Sequence, residues 1–529
     1  MRSTWESQMF LKPSRRALGP GKAAVLVSFS AVLALSATGC KAAVDQQNAD
    51  GKPTRGGTLR IVQAADVQPA TLMAQNNPNF SLTRVVFNSL IDYNHKTLEP
   101  EPELATAWQR SADGKTLTFT LRKGVTFHDG RAFTAADVIA DLKIIQRPEV
   151  ASQVKAIANQ IDTMQAEGDD KLIITFKKAM SNVFDLFLMM PIIDPNTADQ
   201  LFAGKSFNGT GPFVVKKYTP GQGFSLARNE HYWQSGRPYL DSVEISVVRD
   251  SQSMLSSLKS GQSQLALDLA PLDATTVKDD PAYKLVEADA NDSVAYVGYN
   301  VTVPPLSNKL VRQAISQSID RKRILSQVLG NIGQTTSLPW APSSPAYDAS
   351  KAGHYNHDVA KAKELLAQAG ATGAEVNVYY DAGFGPNTGL AEIIQFDLTA
   401  AGLKPNLQPL QASDFLDKLR SGGFNGMFLT GHGFGQLNPA TLLTGAFPFN
   451  SAKNASSFDN PQYKDLAGKV MFTSKPDKQL LGEVNDFLLD QQFVSDLVTG
   501  SHTFATSSRV QGLNYTMLDY VDLDNAYLK

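Results

Sequence analysis

The sequence predicts an α/β protein built from more than one domain, and three observations predict it. The chain is 529 residues long with 42% hydrophobic content, enough to fill large cores and too much for one compact body. Several short runs alternate apolar and polar side chains, as strands with one buried face do. From about residue 300 to 490, strand-like and helix-like patterns follow one another in β-α-β-α-β order, which builds layered α/β structure.

The elements can be taken in chain order. Gly56-Gly57 followed by Thr58-Leu59-Arg60-Ile61-Val62 opens the folded sequence with a short strand. Leu117, Phe119 and Leu121 alternate with Thr118, Thr120 and Arg122, giving a strand with one buried face. Thr134 with Asp137 three places on forms a capping box, and Val138, Ile139 and Leu142 supply the apolar stripe of the helix that follows. Phe213 to Tyr218 and Phe224 to Arg228 form a hairpin around Thr-Pro-Gly-Gln-Gly. Asp358 to Ala369 is a helix stopped by Gly370. Val376, Val378 and Tyr380 mark a strand, Gly389 to Ala401 a helix, Leu407 to Leu410 a strand, Ser413 to Ser421 a helix, and Met427-Phe428-Leu429 another strand.

The N-terminus has a different character. Lys12, Arg15, Arg16 and Lys22 precede a 16-residue apolar run, Ala23 to Thr38, too short to span a bilayer and the right length for a signal-peptide core. Ala37-Thr38-Gly39 lead into Cys40, the single cysteine, and the setting resembles a bacterial lipobox. Ala37 stands where a lipobox usually has Leu, with Leu35 two places earlier. The resemblance implies cleavage after residue 39, lipidation of Cys40 and a body held on the extracytoplasmic face of the cell membrane. Residues 40–55 are polar and aperiodic, the composition of a flexible tether.

Beyond residue 39 the chain carries 44 basic against 50 acidic side chains, net −6, so nucleic acid is excluded as a partner. With Cys40 committed, neither a disulfide nor a thiolate metal cluster is possible.

Three segments carry a wider resemblance: Phe127-His128-Asp129-Gly130-Arg131-Ala132-Phe133-Thr134; Gly209-Thr210-Gly211-Pro212-Phe213 continuing to Arg228-Asn229-Glu230-His231-Tyr232-Trp233; and Tyr299-Asn300 through Val311-Arg312-Gln313-Ala314-Ile315 to Asp320-Arg321. In this order over residues 56–529, the chain resembles the large solute-binding lipoproteins of ABC importers, the oligopeptide, dipeptide and nickel-binding family. Read as residues alone, all three are scaffold: His128 a hydrogen-bonded structural histidine, Tyr232 and Trp233 packed under the hairpin, Arg312 and Asp320 candidates for ion pairs.

The resemblance implies two α/β lobes joined by two crossing segments, with an extra subdomain on the first lobe. Lobe I would take residues 56–293 and 497–529, with the inserted subdomain at about 85–205, and lobe II residues 294–496. The crossings would fall near Val294 to Asn300 and Leu497 to Ser507. Such a receptor, a monomer without cofactor, closes on a small solute and hands it to a membrane permease with its ATPase subunits. A surface receptor, chaperone or adhesin on the same fold is the alternative. No Gly-x-Ser-x-Gly, His-Glu-x-x-His or Ser-x-x-Lys block in a matching setting supports an enzyme.

Many peptide-binding relatives place an aspartate three residues before an Asp-Pro pair, and its carboxylate meets the peptide ammonium. Here the stretch is Gly431-His432-Gly433-Phe434-Gly435-Gln436-Leu437-Asn438-Pro439, with Gly435 at that place and no acid between Asp417 and Asp459. A buried ammonium without a carboxylate is costly, which lowers the expectation of a free peptide and widens the solute to carboxylates, opine-like or sugar-like compounds and modified peptides. His432, Phe434, Gln436 and Trp340 are the pocket candidates, because aromatic faces and a few polar atoms make small-molecule sites. Asn300 and Arg84 are candidates for polar contacts. His354 and His357 sit before a helix and read as loop and N-cap rather than metal ligands.

Overall fold

The computed structural model describes residues 53–529, apart from 75–76, 288–292, 384 and 501. The expected signal peptide, Cys40 and most of the tether lie outside the described residues. Three sheets organise the rest. A seven-stranded mixed sheet runs in the order Tyr283–Glu287, Thr503–Ser507, Leu265–Leu267, Thr58–Gln63, Ser242–Val247, Gly223–Arg228, Phe213–Thr219. A six-stranded mixed sheet runs Gln334–Thr335, Val494–Gly500, Ser293–Tyr299, Met427–His432, Glu375–Asp381, Lys404–Leu410. A four-stranded antiparallel sheet, Ala105–Arg110, Thr116–Leu121, Lys171–Phe176 and Ile161–Ala166, lies between the first and later strands of the seven-stranded sheet in sequence.

The chain passes between the two large sheets twice. It leaves the seven-stranded sheet after Glu287 and enters the six-stranded one at Ser293, and it returns between Gly500 and Thr503. The segments expected to cross, Val294 to Asn300 and Leu497 onward, are in large part paired strands of the six-stranded sheet, Val294 lying opposite Thr499.

The six-stranded sheet is covered on both faces, which explains its near-continuous apolar strands. On one face Val297, Tyr299, Met427, Leu429 and Val498 pack with residues of the Lys309–Ser318, Val359–Gln368 and Gly385–Ala401 helices. On the other, Tyr296 and Phe428 join Trp340, Phe434 and Phe449. Helix ends follow the sequence signals: Asp137 closes the capping box of Ala135–Gln146, its Oδ2 accepting from Thr134 N–H at 2.8 Å, and Gly370 takes a φ of +65° after Val359–Gln368. Leu117, Phe119 and Leu121 are buried, as their alternation predicts.

The signature segments are internal fastenings. His128 donates from Nε2 to Gly211 C=O at 3.0 Å, while its Nδ1 accepts from Gly209 N–H at 3.4 Å. Gly209 and Gly211 lie against the Val86 backbone: a Cβ at Gly209 would stand 2.1 Å from Val86 O and one at Gly211 2.5 Å from Val86 C. Only glycine leaves room for that approach.

One expectation is extended and one corrected. Trp233 packs against the core that includes Phe213, Phe224 and Leu226 of the hairpin, and both aromatic residues also reach polar partners. Tyr232 donates to Asp524 Oδ2 at 2.8 Å near the C-terminus, and Trp233 donates to Asn88 Oδ1 at 3.3 Å beneath the Arg122 guanidinium. Among the described residues neither Arg312 nor Asp320 is in an ion pair. Arg312 donates to the carbonyls of Leu306, Gln491 and Gln492, closing the end of helix Lys478–Gln491, and Asp320 is the N-cap of Arg321–Gln327. Carbonyls freed at a helix end satisfy a guanidinium as a carboxylate would.

Candidate functional site at the carboxyl ends of two sheets

The strand directions locate the site before any side chain is considered. Thr58–Gln63 is parallel to Ser242–Val247 and Leu265–Leu267, and Glu375–Asp381 is parallel to Lys404–Leu410 and Met427–His432. Met427–His432 ends beside the first passage, His432 standing opposite Val294. Leu265–Leu267 ends beside the second, paired with the Thr503–Ser507 strand that emerges from it. Ligands of open α/β sheets bind outside the carboxyl ends of parallel strands, and here two such edges flank the passages that join the sheets.

The Gly431–Pro439 loop occupies this edge of the six-stranded sheet. Its far end is locked. Asn438 caps helix Pro439–Gly445 through Oδ1, its Nδ2 donates to Ser181 C=O at 3.0 Å, and its N–H donates to Asp185 Oδ2 at 3.0 Å. The middle is tied to the Pro339–Pro342 segment by Ala341 N–H donating to Gly435 C=O at 2.9 Å.

His432 and Gln436 end with unused polar atoms. The His432 Nδ1 accepts from Phe434 N–H at 3.3 Å, so in the neutral ring the proton sits on Nε2, which has no partner among the described residues. The ring lies 5.8 Å from Tyr296 and 5.6 Å, edge-on, from Phe449. Burial lowers its pKa to about 3, which keeps it neutral at physiological pH. Gln436 donates through Nε2 to Ser343 Oγ at 2.9 Å, and its Oε1 has no partner among the described residues. Phe434 is 5% exposed beside the His432 ring.

The remaining candidates are placed elsewhere or fully used. Trp340 has no exposed surface and donates from Nε1 to Asn485 Oδ1 at 2.7 Å, so it holds the segment under the loop. Asn300 donates to Phe424 C=O at 2.6 Å and accepts from the Thr302 backbone and hydroxyl, which makes it a turn residue. Arg84 is buried on the seven-stranded-sheet side, paired with Asp92 at 2.6 Å and Glu103 at 2.7 Å. It lines a cavity of about 200 Å³ with Asn88, Asp522 and Asp524, and a neighbouring one of about 410 Å³ lies by Asp92, Lys96 and Thr516. Neither cavity is lined by a strand of the six-stranded sheet.

Three residues that matter here were not singled out in the sequence: Asp185, Tyr296 and Asp496. Each is buried: Asp185 is the one polar residue of Val183–Met189, Asp496 the one acid of Val494–Gly500, and Tyr296 lies within Ser293–Tyr299. A lone acid in an apolar helix or strand is the signal that could have found two of them.

Residues 99–454 match the profile described as bacterial extracellular solute-binding proteins, family 5 middle. The chain belongs to this family. It is therefore the solute-binding component of an ABC importer, a two-lobed receptor that captures a small solute and delivers it to a membrane permease. This family 5 protein is 28% identical over 490 residues to heme-binding protein A of Haemophilus influenzae, covering 84% of this chain and 87% of that one. It is 29% identical over 377 residues to di/tripeptide-binding protein 1 of Pseudomonas aeruginosa, covering 65% and 70%. Its fold superposes on the periplasmic binding protein AgaA from A. tumefaciens R10, solved with agropinic acid, with a TM-score of 0.80, 22% identity and coverage of 89% and 99%. The relatives named here are binding proteins, not enzymes. Among the described residues of the family 5 protein no helix is long and apolar enough to cross a membrane.

Proposed function

We propose that this family 5 protein is a monomeric receptor, lipid-anchored through Cys40 on the extracytoplasmic face of the cell membrane, for a small organic solute: a peptide, or a carboxylate, opine-like or sugar-like compound of similar size. Its lobes are residues 56–287 with 503–529, including an inserted subdomain at about 85–205, and residues 293–500. The solute sits between them against His432, Phe434 and Gln436, with Trp340 holding their loop from behind. The observation that carries this is the meeting of two parallel-strand edges at the two passages, with His432 Nε2 and Gln436 Oε1, which have no partner among the described residues, on the loop at that edge. Names of relatives support the breadth of solute: a heme binder, a di/tripeptide binder and a protein solved with agropinic acid.

The test is a thermal-shift panel on the mature protein after unfolding and refolding to remove carried ligand. Free tripeptides, N-acetylated tripeptides, aromatic and aliphatic carboxylates, sugars and opines would each be added in turn. A ligand at 100 times its Kd adds about 2.7 kcal/mol, a rise of several degrees in Tm. A shift with at least one class, reduced by His432→Ala, is expected; no shift with any class would overturn the proposal.

A further inference from the structure

The inserted region meets the later part of the chain at the far end of the candidate loop. The Gly431–Pro439 loop starts beside the first passage, where His432 stands opposite Val294, and finishes at Asn438 against residues 181–185. There Ser181 N–H donates to Met471 C=O at 3.0 Å and its hydroxyl to Val470 C=O at 2.8 Å. Asn438 Nδ2 donates to Ser181 C=O at 3.0 Å, its N–H to Asp185 Oδ2 at 3.0 Å, and Thr441 Oγ1 to the same Asp185 oxygen at 2.6 Å. Asn182 Nδ2 donates to Thr441 Oγ1 at 3.0 Å, and the Lys178 ammonium lies 4.5 Å from the centre of the Phe472 ring. In the lobe assignment above, each of these contacts joins the inserted subdomain of lobe I to lobe II. The passages stand at one end of the loop and this seam at the other, so rotation about the passages pulls the seam apart.

The chemistry of the seam suits parting. Asn182, Asp185 and Thr441 meet across it although each is 1% exposed or less. Surfaces that never see water are built with less free-energy cost from apolar groups, whereas surfaces that separate keep groups that water can satisfy. Asn182 Oδ1 has no partner among the described residues, a cost that opening to water relieves. Gly445, the last residue of helix Pro439–Gly445, lies against the inserted region, and a Cβ there would stand 2.5 Å from the Gln153 carbonyl oxygen. Its φ lies outside the left-handed region, so alanine suits the helix itself and only the closed seam excludes it.

We propose that this seam is a latch: it forms when the lobes close, holds the closed form dominant before solute arrives, and breaks for solute to enter or leave. The proposal rests on the two-lobed receptor reading with the lobe boundaries given above. The latch bonds run between protein groups, so they favour closure equally whatever the solute. Observed affinity is the intrinsic affinity of the closed form reduced by the fraction of protein in that form. A weakened latch therefore lowers affinity for every solute by one factor, speeds exchange, and leaves the order of preference unchanged. Ser181, Asn182, Asp185 and Thr441 set affinity without being solute contacts.

The experiment measures the separation of spin labels at the exposed positions Glu149 and Lys453, each replaced by cysteine, in refolded, solute-free Cys40→Ser protein, which has no other cysteine. With the seam otherwise wild type, a short separation should dominate. Gly445→Ala, which forces a methyl group onto the Gln153 carbonyl, should raise a longer-separation population by at least about tenfold. Thr441→Val keeps the shape, loses the hydroxyl that serves Asp185 and Asn182, and should move the populations the same way. A dominant long separation with the wild-type seam would overturn the latch. So would an unchanged short separation in folded variants of lowered Tm, or loss of folding in both, since the seam would then be fixed packing. For any solute of the thermal-shift panel that stabilises wild type, each variant should lose affinity by its own common factor; a loss confined to one solute class would place the seam against solute and also overturn the latch. No solute enters the distance measurement, so the latch can fall while the receptor reading stands. Absence of any solute response would bring down the receptor reading, with the distances still deciding the latch.

Discussion

The Asp185 carboxylate and Asn438 backbone N–H lie 3.0 Å apart, which ties a helix of the inserted region to the end of the loop that borders the candidate site. Asp185 is fully buried and used on both oxygens: Oδ1 accepts from Tyr93 OH at 2.7 Å, and Oδ2 also accepts from Thr441 Oγ1 at 2.6 Å. Asp185→Ala strands three donors. It should cost about 2–4 kcal/mol and lower Tm by several degrees, checked by thermal unfolding of the solute-free protein.

Trp340 tests support as distinct from contact. Trp340→Phe keeps most of the volume and loses the bond to Asn485, so a loss of about 1–2 kcal/mol is expected, whereas Trp340→Ala should cost about 3–5 kcal/mol. Urea midpoints read both. A solute affinity in Trp340→Phe within about threefold of wild type would agree with a supporting role; a tenfold loss would place the indole against solute.

His432 gives a pH signature. Its pKa falls from the ordinary imidazole value of about 6.5 to about 3 on folding because the ring is buried. The unfolded chain therefore binds the proton more tightly, and the stabilisation present above pH 6.5 is lost as the pH falls towards 3. Between pH 6.5 and 4.5 wild type should lose about 2–3 kcal/mol more than His432→Asn. Asp496 and Glu103, both raised to about 7 chiefly by burial, act with the opposite sign, since the folded state takes up their protons first. They are common to both proteins, so the difference between the two urea-unfolding curves isolates the imidazole.

Gly211 sits where a side chain would enter the Val86 backbone. Gly211→Ala should cost more than about 3 kcal/mol, because neither backbone can withdraw without breaking the Gly211 N–H to Val86 C=O bond at 2.9 Å. Expression and thermal unfolding would show it, and the milder Thr134→Ala cap variant, at about 1 kcal/mol, provides the scale.

Cys40→Ser should move the protein from the membrane fraction to the soluble fraction and abolish incorporation of labelled palmitate. Retention in the membrane would refute anchoring through that residue.

The sequence by itself determined the elements and the class of protein. Alternation at Leu117, Phe119 and Leu121, the Thr134–Asp137 box and the stop at Gly370 are local: each follows from side-chain period, capping chemistry or glycine φ, and each stands where it was expected. The order of three signature segments pointed to the family for the same reason, since tight turns and close approaches leave few residue choices. Tertiary structure alone decided partners. Arg312 finds helix-end carbonyls, Tyr232 finds Asp524 almost 300 residues away, and Asn300 and Arg84 are consumed by neighbours that no spacing announces. The row Gln334–Thr499–Val294–His432 was illegible for the same reason, because strand order and register set it, and a bulge between Ala295 and Tyr296 decides which way Asp496 faces.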